Sequence, residues 1–128
     1  MNYYFTTQKE DSFENIIVRV TDELKKEGFG IITEINVTET FKKKLDVDFK
    51  NYRILGACNP NFAHQALSID EKIGVMLPCN VIVSEIKPGL VEVSAINPHS
   101  SMQMIGNDKL TELAAQVGNK LKNVIDNL

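Results

Sequence analysis

Cysteine is scarce in this chain of 128 residues: it has two, Cys58 and Cys79, and they do not form a Cys-x-x-Cys pair. That is too few for a secreted disulfide scaffold and lacks the close spacing of a zinc-ligand pair. No run of about 18 apolar residues occurs, so no segment reads as a membrane-spanning helix. The start, Met1-Asn2-Tyr3-Tyr4-Phe5, lacks the charged head, apolar middle and small-residue cleavage site of a signal peptide. The expectation is a cytoplasmic, soluble protein with free thiols. A dominant charge is missing too. With 14 basic residues against 17 acidic ones, the net charge is -3, which offers no field to a phosphate backbone or anionic lipid. Neither nucleic acid nor membrane is expected as a partner. The seven glycines are scattered. No Walker loop, Gly-x-Gly-x-x-Gly turn or nucleophile elbow is present, so nucleotide chemistry and acyl transfer have no support.

What is there suits one domain over residues 1–128, since 43% hydrophobic content can fill a core at this length. Tyr3 to Gln8 reads as a first strand. Asp11, with Glu14 as capping-box partner, opens a helix whose stripe is Phe13, Ile16, Ile17, Val20 and Leu24, closed by Gly28. Gly30 to Val37 is a second strand. Thr38 caps a short helix with Phe41 and Leu45 inward and Lys42, Lys43 and Lys44 in water. Tyr52 to Ala57 is a third strand, and Asn59-Pro60 starts a short helix with Phe62, Ala63, Ala66 and Leu67 on one face. Ile73 to Ile86 reads as one long strand with Pro78 as a break. It is joined through Lys87-Pro88-Gly89 to an antiparallel partner at Leu90 to Ile96. His99 to Asp108 is a loop, and a final helix from Lys109 repeats Leu110, Leu113, Ala114, Val117, Leu121, Val124 and Ile125 at helical spacing, with Gly118 as its weak point. The sum is an α+β domain of about five strands with two long helices and two short ones.

A turn that pairs Ile86 with Leu90 sets Cys79 opposite Asn97; a shift of one sets it opposite Pro98. If the third strand runs antiparallel to the fourth, Cys58 arrives at the same end. Asn59, Asn80 and Asn97, both thiols and Met102 then gather at one rim. Cys58, beside a helix amino terminus, is the candidate thiolate, while Cys79 in a buried strand should keep a raised pKa. The asparagines read first as caps and turn residues, second as a polar rim for a small carboxylate or carbonyl ligand. The leading function is a non-catalytic small-molecule binding or interaction module. The alternative is a thiol redox protein in which Cys79 resolves Cys58, or a soft-metal binder adding Met102, Met104 or His99. No standard catalytic set accompanies the thiols, and no cofactor is specified. His64 reads as an exposed or core-edge residue.

The segments Tyr52-Arg53-Ile54-Leu55-Gly56-Ala57-Cys58-Asn59-Pro60, Leu77-Pro78-Cys79-Asn80-Val81 and Asn97-Pro98, with Ala63, Leu67, Met102 and Gly28-Phe29-Gly30, make the chain resemble the domain-of-unknown-function family 302 (DUF 302) over nearly its whole length. The resemblance implies a TATA-box-binding-protein-like fold, a curved antiparallel sheet with helices on one face, without implying DNA binding. It also implies a shared pocket or core at Cys58, Asn59, Pro60, Pro78, Cys79, Asn80 and Pro98. Many members carry Asp where this chain has Asn97, so a carboxylate role is lost there. Small domains of this kind are often homodimers, some by edge-strand pairing.

Overall fold

Residue alternation makes Tyr4–Glu10 the first strand, β1, in a computed structural model that describes residues 2–128. Helix α1, Phe13–Lys26, follows. Its cap is Ser12 and not Asp11: Ser12 is extended, and its Oγ accepts the Asn15 N–H at 3.1 Å. Asp11 stands one residue too early. Its carboxylate accepts from Asn15 Nδ2 and the Ser12 N–H, and these donors hold its pKa below the ordinary value. Glu14, expected to close a capping box, reaches Arg53 at 3.4 Å. The other end is as expected. Gly28 takes φ +86°, its N–H donates to Lys25 O, and the Phe29 N–H donates to Leu24 O at 2.9 Å. This Schellman closure brings Leu24 and Phe29 into the core together.

Strand β2 is Gly30–Asn36 and helix α2 is Val37–Leu45. Asn36 caps α2, accepting the Glu39 N–H at 3.0 Å. Thr38, expected in that role, donates to Lys50 O and accepts from the Tyr52 N–H, tying the connection back to strand β3, Tyr52–Cys58. Leu45 does not face inward; it is 65% exposed. Phe41 is half-buried against Phe49.

Helix α3 is Pro60–Ile69. The expected long strand from Ile73 does not form. Asp70 Oδ1 accepts the Lys72 N–H and starts a 3₁₀ turn, Glu71–Met76. Its period of three aims Ile73 and Met76 at one cluster, so an apolar run that resembles a buried strand packs as a helical turn. Strand β4 begins only at Cys79 and runs to Lys87, and β5 is Leu90–Ile96. The expected loop after Asn97 is instead helix α4, Pro98–Met102, and a 3₁₀ turn, Gln103–Ile105. Helix α5, Asp108–Asp126, is capped by Asn107.

The sheet order is β1-β5-β4-β3-β2, antiparallel throughout. Val81 pairs Ala95 and Glu85 pairs Val91, the register implied by matching Ile86 with Leu90. Ile86 itself drops out as a bulge, and Lys87 pairs Leu90 across Pro88-Gly89, with Gly89 at φ +85°. One sheet face, carrying Leu55, Val81, Val83, Val91 and Val93, packs against Ile16, Val20 and Leu24 of α1 and Leu121 and Val124 of α5. Each such side chain contributes roughly 1.5–3 kcal/mol by leaving water. A second cluster, Ala66, Ile73, Met102, Leu110 and Ala114, joins α3, the 3₁₀ turn, α4 and α5 beside the first. Among the described residues, no helix is long and apolar enough to cross a membrane.

Candidate functional site

The site begins with strand pairing. Antiparallel β3 and β4 set Ala57 opposite Cys79, so Cys58 and Cys79 reach the same end of the sheet from opposite directions. Gly56 permits a close approach there. A Cβ on it would collide with Thr33 Oγ1 and lie 2.9 Å from Pro78 Cγ. The Leu77–Pro78 peptide bond is cis. Beyond the strand ends, Asn59-Pro60 and Asn97-Pro98 turn the chain into α3 and α4, which face the long helix α5.

Between these elements lies a pocket of about 320 Å³. Ala57, Cys58, Leu77, Pro78 and Cys79 form its sheet wall. Ala63, Ala66 and Leu67 of α3 form a second wall, and Pro98 and Met102 of α4 join Leu110, Ala114 and Val117 of α5 in a third. Phe29 and Phe62 contribute aromatic rings. Ile32 reaches the mouth because β2 shifts register between Ile31 and Thr33, leaving Ile32 outside the ladder and 62% exposed.

Of the residues expected at the rim, Cys58, Asn59, Pro78, Cys79, Pro98 and Met102 line this pocket. Pro60 is exposed in a separate shallow cleft, and Asn80 is exposed on the other side of the sheet, beside Tyr3 and Tyr4. Asn97 is buried outside the pocket wall. Its Nδ2 donates to Asn2 O at 3.3 Å, and its backbone N–H donates to Tyr3 O at 2.7 Å. Asn59 precedes α3 without a side-chain capping bond, and its Nδ2 donates to Glu27 O at 3.3 Å, at the end of α1. Both amides therefore hold distant backbone. Gly118, read as a weak point of the last helix, has a packing reason: a Cβ there would lie 3.3 Å from Asn97 Oδ1.

Burial pushes the Cys79 thiol up to about 11, and the nearby Cys58 adds to the shift. A protonated Cys79 behaves as a small apolar wall residue. Met104 is 82% exposed, and neither it nor His99 lines the pocket, so the wider soft-metal set does not assemble. Among the described residues, no group of three or more His, Cys, Asp or Glu side chains could hold a metal ion. The contribution of α5 was not expected. Its Leu110, Ala114 and Val117 read only as a core stripe, although alanines on both α3 and α5 were a sign of space between the two helices.

The comparisons agree with the fold. The family described as "Domain of unknown function DUF302" matches residues 4–128. The fold is similar to the crystal structure of an uncharacterized conserved protein DUF302 from Bacillus stearothermophilus, with a TM-score of 0.90 and 28% identity over 98% of each chain. No curated protein matches the chain. With the match spanning both cysteine motifs and all five strands, this chain belongs to the DUF302 family.

Proposed function

We propose that this chain is a non-catalytic small-molecule binding module whose ligand occupies the pocket beside Cys58 and Cys79. The supporting observation is the space itself: about 320 Å³, between the ends of β3 and β4 and three helices, at the lower end of the size range of ligand sites. The high pKa of Cys79 weighs against thiol exchange, where the thiolate is the reacting species. A fragment screen followed by amide NMR tests the reading. Saturable shifts should cluster at residues 57–66, 77–79 and 110–117, and a screen with no saturable shifts there would sink it.

A second proposal concerns assembly. Strand β1 is paired only with β5, in an unbroken ladder from Tyr4–Ile96 to Glu10–Leu90, whereas the other edge strand, β2, is bulged. A regular free edge suits pairing with a second copy. Sedimentation equilibrium should give twice the 14.4 kDa chain mass, and Thr6→Lys should return it to one. A wild-type monomer at roughly 100 μM, a concentration well above micromolar dissociation constants, would rule out the dimer.

A further inference from the structure

The walls of the pocket carry information about what fits inside them. Among the described residues, no charged side chain lines it, and the one side-chain amide, that of Asn59, already donates to Glu27 O. A carboxylate or phosphate placed there would lose water without gaining a counter-charge. The mouth continues the same chemistry, since Ile32 and Leu67 are 62% and 42% exposed.

Each of the three walls contributes small side chains. Ala57, Ala63, Ala66 and Ala114 come from a strand and two helices, and they leave open a volume that larger residues would fill. Around it stand three sulfur atoms, of Cys58, Cys79 and Met102, and the rings of Phe29 and Phe62. Sulfur and aromatic edges make favourable contacts with an aromatic ligand. An apolar cavity of about 150 Å³ takes up benzene. The pocket here, about 320 Å³, is on the order of twice that size.

Resting on the binding reading above, we infer that the ligand is an uncharged, compact aromatic compound of about two fused rings, held by alanine, sulfur and phenylalanine contacts. Specificity comes from shape and from the absence of any charged partner in the walls. The thiols serve as contact surface.

Indole and indole-3-carboxylate share one fused ring system, and the second adds a charged carboxylate. Binding of each to the full chain is measured by calorimetry and by NMR of the Met102 and alanine methyl groups. Indole is expected to saturate with shifts at Met102, Ala66 and Ala114, and the carboxylate to bind roughly tenfold or more weakly. Ala63→Phe, which fills the pocket from a half-buried position, should abolish indole binding while the amide spectrum stays folded; Ala114→Leu repeats the test from the opposite wall. Carboxylate binding as tight as indole at the same methyls would overturn the ligand class and leave the pocket reading standing. Failure of both compounds to produce saturable shifts at these methyls would overturn the ligand class, while the fragment screen decides separately on the pocket. Indole binding that survives both filling variants would overturn the assignment to this pocket.

Discussion

Asn97 shows how one atom decides a residue's role. Its amide donates to Asn2 O, and an aspartate in the same place would set oxygen against oxygen. Asn97→Asp should therefore lower stability by about 1–3 kcal/mol in urea unfolding. An unchanged midpoint would show that the amide does not hold the amino-terminal segment. Cys79 gives a pH-dependent signature. Its folded pKa, about 11, lies above the ordinary thiol value of 9.0. Below pH 9 the thiol is protonated in both folded and unfolded chains, and its burial carries no ionisation cost. Between about pH 9 and 11 the unfolded chain loses the proton while the folded chain keeps it, so stability falls as pH rises, by up to about 2–3 kcal/mol. Cys79→Ala should flatten that part of the stability curve relative to wild type. Equal slopes in both proteins would mean that Cys79 is not desolvated.

At the scale of elements, the helix ends test the reading of local sequence. Ser12→Ala should cost about 1 kcal/mol, because it removes the acceptor of the Asn15 N–H, while Glu14→Ala should cost at most a few tenths through its exposed contact with Arg53. A near-neutral Ser12→Ala with a cost of about 1 kcal/mol for Glu14→Ala would restore the capping box that Asp11 and Glu14 suggested. Helices α1, α3 and α5 were legible because their apolar residues recur at helical spacing, although the cap of α1 is Ser12 and that of α5 is Asn107. The 3₁₀ turn was not, because Ile73, Val75, Met76 and Leu77 resemble a buried strand until the Asp70 cap is counted. Helix α4 had a usable signal: Asn97-Pro98 repeats the Asn59-Pro60 pair that correctly marked α3. In both pairs the proline occupies the first helical turn, while the asparagine amide ties down backbone 32 or 95 residues away. Short-range capping patterns contain no information about such distant partners.

For the whole molecule, hairpin geometry made the register of β4 against β5 legible. The meeting of Cys58 and Cys79 depends instead on β3 running antiparallel to β4, a pairing across α3 and the 3₁₀ turn that the sequence offered only as a condition. Register says nothing of what lies above the strand ends. The α5 wall depends on how that helix docks, and the position of Ile32 depends on a bulge in β2 that no turn residue announces. The central claim is that two cysteine motifs and three helices enclose usable apolar space. Diffraction from crystals of the protein under xenon pressure tests it most directly, because xenon enters apolar cavities and is easily located. Ordered xenon is predicted among Cys58, Ala66, Met102 and Ala114. Side chains filling that volume, with no xenon between them, would contradict the account.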